Sequence, residues 1–226
     1  MVSRPSWSDI AKAFARCGLV LRGGFHPADD EDIPDAGQGR STRTILLVGN
    51  AGPDLWDHFG PHSDAGSDPL DRWTREVAEP IAAEFDARAV FPFDKPPLPF
   101  QRWAMRAEPV HSSPLGILIH PDHGLWHAYR AALMFAEAID LPPADDRPSP
   151  CEACADRPCL TGCPVGAFSA AGYDVAACAS YLKSPAGQVC LETGCQARNA
   201  CPVASDRGYG PAQIRFHMAA FRRAVC

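Results

Sequence analysis

Several things are scarce in this sequence, and each scarcity removes a class of answer. No stretch approaches the roughly 18 consecutive apolar residues needed to cross a bilayer, so no membrane span is expected. The opening Met1-Val2-Ser3-Arg4-Pro5-Ser6-Trp7 lacks the apolar core of a secretory leader, which points to the cytoplasm, where thiols stay reduced. There is no G-x-G-x-x-G and no Walker loop, so no nucleotide site is indicated. Positive charge is in short supply: 21 Lys and Arg face 27 Asp and Glu, a formal net charge of -6. That balance argues against a nucleic-acid backbone as a partner and suits docking on a basic protein. Cysteine is almost missing from the first 150 residues, where only Cys17 occurs.

The full length of 226 residues, 46% hydrophobic, accommodates one large domain or a medium domain plus a small one. Residues 6–17 read as a helix with Ser6 or Ser8 at its cap, an apolar stripe of Ile10, Ala11, Phe14 and Ala15, and Gly18 as its stop. A strand is expected to begin near Leu19, and residues 26–41 read as a loop. Thr44 to Val48 suits a buried strand ended by Gly49 and Asn50. Pro69 to Ala87 reads as a helix capped by Asp68, with Leu70, Trp73, Val77, Ile81 and Phe85 on one face and a kink at Pro80. Ala89 to Phe91 and Gly116 to Ile119 read as strands, with an extended, stiff segment over 92–99. Residues 125–139 fit a helix or a hairpin equally, and a last helix is expected over 211–224. The Pro-rich stretch Pro142–Pro150 marks a boundary, giving an α+β domain over 1–145 and a small cysteine-bearing module over 146–226.

Eight of the 10 cysteines fall between Cys151 and Cys201. They form two sets, Cys151-x2-Cys154-x4-Cys159-x3-Cys163-Pro164 and Cys178-x11-Cys190-x4-Cys195-x5-Cys201-Pro202. Bacterial two-cluster ferredoxins use C-x2-C-x2-C-x3-C-P, in which the fourth cysteine serves the other cluster. By that crossing rule Cys151, Cys154, Cys159 and Cys201 would hold one [4Fe-4S] cluster, and Cys178, Cys190, Cys195 and Cys163 a second. Zinc is the competing reading, as two tetrahedral thiolate sites in an interaction module. Disulfides are disfavoured by the expected reducing compartment.

The module over 150–202 resembles that of epoxyqueuosine reductase and the reductive dehalogenases, most plainly at Cys178-Ala179-Ser180-Tyr181-Leu182. Pro114–His120 followed by Gly124, and the helix from Asp71, are similar to segments of the same family. The resemblance implies a nitroreductase-like, corrinoid-type α+β domain followed by a two-cluster ferredoxin-like module. It implies an iron–sulfur electron-transfer protein with redox protein partners, or a reductase in which the clusters feed cobalamin or a flavin. The family's Arg-Asp-Tyr-His proton-donor segment has no counterpart; the nearest acids are Asp64, Asp68 and Asp71. Of the other candidates, His120, His123 and His127 read chiefly as turn-edge residues, His58 and His62 as loop residues, and Phe91-Pro92-Phe93 as a connector. Trp56, Trp73, Trp103 and Trp126 read as core, and Cys17 and Cys226 stand apart from the cysteine sets.

Overall fold

A computed structural model describes residues 5–28, 30–64, 66–169 and 171–226. The first four residues, and Asp29 within the expected 26–41 loop, lie outside the described residues. The chain forms two compact units. Unit 1 comprises Met1–Pro109 and His127–Asp146; unit 2 comprises Val110–Trp126 and Arg147–Cys226. No helix among the described residues is long and apolar enough to cross a membrane.

Unit 1 is a mixed α/β structure around one antiparallel sheet of order β1-β2-β6-β3. Helix α1 (Trp7–Ala15) starts where Ser6 accepts a hydrogen bond from the Asp9 amide, and it buries Ile10, Ala13 and Phe14. Strand β1 (Val20–Phe25) follows, then β2 (Thr44–Ala51), which is buried over nearly its whole length. The expected strand end at Gly49 does not occur. The β2 ladder shifts register between Val48 and Gly49, and a Cβ on Gly49 would lie 2.0 Å from the Ala128 carbonyl oxygen. Glycine here lets two backbones approach closely, and the strand continues.

Helix α2 (Leu55–Phe59) leads to α3 (Pro69–Glu84). Asp68 precedes α3 in a left-handed conformation and makes no side-chain cap, contrary to expectation. The buried face of α3 is Leu70, Trp73, Thr74, Ala78 and Ala82; it is rotated from the expected stripe, leaving Val77, Ile81 and Phe85 half-buried. Strand β3 (Ala87–Val90) forms one edge of the sheet. Residues 92–99 are not uniformly extended, because Asp94 accepts from the Phe91 amide and closes a turn. Helix α4 (Phe100–Ala107), unheralded in the sequence reading, buries Phe100, Trp103 and Ala104.

The chain then enters unit 2 for the short hairpin β4 (His111–Ser112) and β5 (Leu118–Ile119). It returns to unit 1 as β6 (His127–Phe135), the strand between β2 and β3. The ambiguous 125–139 segment is thus one long strand; its Ala131-Ala132-Leu133-Met134-Phe135 run is buried because the strand is internal to the sheet.

The rest of unit 2 is built from short pieces. These are α5 (Pro158–Thr161), the two-residue pair β7 (Phe168–Ser169) and β8 (Gly172–Tyr173), α6 (Val175–Lys183), α7 (Gln188–Thr193), α8 (Gln196–Asn199) and α9 (Pro211–Val225). Its core gathers Leu115, Ile119, Leu125, Ala197 and Cys201, with further cysteines packed around them. The cysteines ride on short helices and turns around an apolar core, and β7–β8 is a two-residue pair.

Candidate functional site

Local structure explains how each cysteine of unit 2 is held. Cys151 follows a turn in which the Ser149 hydroxyl accepts from its amide at 3.3 Å. Arg157 adopts a left-handed conformation (φ 41), with Pro158 starting α5, which carries Cys159. Cys163 lies just past that helix, and its sulfur accepts from the Ala167 amide at 3.4 Å. Asp174 caps α6, accepting from the Ala177 amide, and α6 presents Cys178. Cys190 sits within α7, Cys195 at the N-cap of α8, and Cys201 just beyond α8. Helices α5 and α8 come together at Gly162, where a Cβ would lie 2.9 Å from the Ala200 Cβ.

The thiols gather as two quartets. Cys151, Cys154, Cys159 and Cys201 line one cavity of about 20 Å³, walled otherwise by groups such as Pro114, Ile119, Pro202 and Val203. Burial pushes the Cys201 thiol up from its ordinary value, and Cys159, Cys151 and Cys154 push it the same way. Cys151 and Cys159 are raised by burial first as well. The second group surrounds Tyr173. Burial raises this phenol, and Cys178, Cys195 and Cys163 add to the effect. Cys190 and Cys195 are raised by burial first, and the proximity of Cys163 and Cys178 adds to the rise. Five of these thiols therefore resist ionisation. They are poor nucleophiles unless a cation draws off the proton.

Unit 1 contains a buried ionic network with no forewarning in the sequence, because its members lie as far as 105 residues apart. Arg22, 2% exposed, donates through Nε and Nη2 to the Glu108 carboxylate at 3.2 and 2.7 Å. Its Nη1 donates to the Asn50 carbonyl at 2.9 Å, and Nη2 lies 3.2 Å from His127 Nδ1. The Tyr129 hydroxyl also donates to Glu108. Burial pushes the Glu108 carboxyl upward against the pull of Arg22. Near the same strands, Arg130 Nε donates to Asn50 Oδ1 at 3.3 Å, and Asp71 on α3 is raised by burial with Arg130 opposing. Thr74, one turn along α3, is fully buried, and its hydroxyl has no partner among the described residues.

The remaining sequence candidates disperse. His120 and His123 stack at 4.4 Å in unit 2, whereas His127 belongs to the unit 1 network. His58 and His62 are exposed. Phe91 and Phe93 stack at 5.1 Å beneath Arg75. Trp73, Trp103 and Trp126 are buried core. Cys17 donates to the Phe14 carbonyl, and Cys226 is exposed.

No protein-family model matches the chain, and no curated protein matches it in sequence. Among solved structures, the chain is similar to a C. elegans B12-trafficking protein, CblC, a homologue of human MMACHC. The identity is 13% and the TM-score 0.51, and the match covers 96% of this chain and 94% of that one. At this identity the likeness is one of fold.

These findings correct the sequence reading. The chain was expected to be an iron–sulfur electron-transfer protein with two [4Fe-4S] clusters, akin to epoxyqueuosine reductase and the reductive dehalogenases. The fold instead follows a B12-trafficking protein from end to end. Among the described residues, no group of three or more His, Cys, Asp or Glu is placed to hold a metal ion. The cysteines of the first quartet stand in the walls of an apolar cavity rather than meeting at a point. The motif spacing located the cysteines but carried no information on how closely their sulfurs converge.

Proposed function

We propose that this chain binds and handles a corrinoid of the B12 type. The observation that carries the reading is the fold likeness to the B12-trafficking protein, which runs through nearly the whole of both chains. The nitroreductase-like character expected for the N-terminal domain belongs to the same proposal. Unit 1 offers polar groups suited to a ligand edged with amides. Among the described residues Thr74 supplies a buried hydroxyl without a partner, and Asp71 a half-buried carboxyl that burial pushes above its ordinary value. Asp71, Thr74 and Arg130 are the residues proposed to face the ligand. A bound corrinoid would supply cobalt chemistry; these residues would bind and orient it.

The test is titration of the purified protein with hydroxocobalamin, followed by absorbance and by dialysis. A saturable spectral change near one equivalent per chain is expected, weakened in Asp71→Asn and Thr74→Val. An unchanged spectrum with full loss of the ligand on dialysis overturns the reading.

The cavity lined by four thiols favours a second reading for unit 2. In it, Cys151, Cys154, Cys159 and Cys201, and Cys163, Cys178, Cys190 and Cys195, are ligands for a soft metal. Raised thiols lose their protons on metal binding, so loading would release acid. This reading requires the loops bearing Cys151, Cys154 and Cys159 to tighten as the metal enters. The metal content is measured after anaerobic purification, which identifies the metal rather than assuming it. Substoichiometric metal, unchanged in Cys159→Ser and Cys201→Ser, retires it.

A further inference from the structure

The net acidity of the chain hides a local reversal in unit 2. Helices α7 and α9 enclose a groove of about 550 Å³. Its apolar wall is Leu191 from α7 and Ala219 from α9. Arg215, Arg222 and Arg223 stand along the α9 side, and all three are exposed. Among the described residues, none of the three guanidinium groups makes a hydrogen bond, ion pair or ring contact, unlike those of Arg22, Arg40, Arg75, Arg88, Arg106 and Arg147. The groove's side-chain carboxylate, Glu192, accepts from Gln188 on its own helix, and Cys226 also lines the groove.

Helical geometry sets the spacing. Residues seven apart rise about 10 Å along the axis and lie within about 20° of one another around it. Arg215 and Arg222 thus form two cationic stations on one face, and Arg223 widens the second. An apolar wall between two such stations fits a segment with carboxylates at both ends and an aliphatic side chain between them. Planar guanidinium groups favour carboxylate through paired N–H donors. In a chain of net charge -6, a groove with three uncommitted arginines is selective for an acidic partner by charge complementarity.

We propose that the α7–α9 groove is a docking site for an acidic amphipathic helix of a partner protein, one with Glu or Asp spaced seven residues apart around a Leu or Ile. This contact is independent of any corrinoid bound by unit 1. It adds a helix-in-groove surface that holds a partner by an apolar anchor and orients it by charge.

Fluorescence anisotropy on the full chain tests the proposal. The probe is a labelled 14-residue helical peptide with two Glu seven residues apart and a central Leu, beside a control in which both Glu are Lys. Saturable binding of the acidic peptide is expected, with the Lys control failing. The double variant Arg222→Glu/Arg223→Glu should weaken binding by roughly tenfold, the scale of two exposed ion pairs lost and reversed. Raising salt from 50 to 500 mM should weaken it in the same direction, because exposed charges are screened. Leu191→Ala should weaken binding at both salt concentrations. Circular dichroism verifies that each variant is folded, and Lys12→Glu/Arg16→Glu serves as a charge-matched control at a distance in sequence. Equal binding of the acidic and Lys peptides, no binding of either, or binding only to anionic lipid vesicles overturns the proposal.

Discussion

The two units treat buried polarity in opposite ways. In unit 1 the most deeply buried charge, Arg22, has its guanidinium nitrogens engaged by Glu108, the Asn50 carbonyl and His127. In unit 2 the buried Gln213 has, among the described residues, neither its amide oxygen nor its amide nitrogen engaged, the sulfur of Cys201 lies near Cys159, Cys151 and Cys154, and that of Cys195 near Cys163 and Cys178. A buried network closed on itself fixes one arrangement of strands and leaves no spare hydrogen-bonding capacity. Buried groups left open cost stability and are retained where something else engages them. Unit 1 therefore reads as scaffold over most of its core, with Thr74 and Asp71 as its open groups, and unit 2 reads as a place prepared for chemistry.

The largest effect that would break this contrast is in the closed network. Arg22→Met removes the cation and leaves the Glu108 carboxylate buried without its counter-charge. Breaking a buried pair in this way costs about 3–5 kcal/mol. Urea unfolding should register a loss on that scale in the midpoint, with the double variant Arg22→Met/Glu108→Leu recovering much of it. A loss under 1 kcal/mol in the single variant would mean that the network is solvated and does not define the scaffold.

Gln213→Met is expected to act with the opposite sign. It removes two unsatisfied polar atoms from a fully buried position at nearly constant volume. Leaving such atoms unpaired costs about 1–3 kcal/mol, so the variant should gain stability within that range. A destabilised variant would show that Gln213 is engaged in solution, and the contrast between the units would narrow.

The sequence made some parts of this contrast visible and concealed others. The caps and breakers were legible, as with Ser6 on α1 and the Pro69 start of α3, because they act within one turn of chain. Cys151, Cys154 and Cys159, close together in sequence, line one cavity with Cys201. Strand β6 was not, since an Ala-rich segment flanked on both sides by strands carries no alternation to reveal it. The Arg22–Glu108–Tyr129 network was invisible because no local pattern marks a contact across 86 residues. The chemistry drawn from the cysteine spacing overreached. Spacing fixes which sulfurs are neighbours, and the metal and its role depend on convergence, burial and the rest of the fold.

The smallest effect lies at the rim of unit 2, where polar groups are paired as they are in unit 1 but remain in water. Arg147 donates to both carboxylate oxygens of Asp122 at 2.8 and 2.6 Å. This pairing, foremost its hydrogen bonds, holds the Asp122 carboxyl down at about 2, against an ordinary value of 3.8. Both side chains are about half exposed, so solvent screening limits the contribution to under about 1 kcal/mol. The sign follows from the folded value being depressed. Stability from this pair is full above the ordinary value and is lost as pH falls from about 4 toward 2. Asp122→Asn should therefore lower the melting temperature slightly at pH 6, and the gap to the parent should shrink as pH approaches 2. A gap that persists unchanged at pH 2 would place the loss in side-chain packing. A gap at pH 6 as large as that of Arg22→Met would mean that the rim of unit 2 is as closed as the core of unit 1.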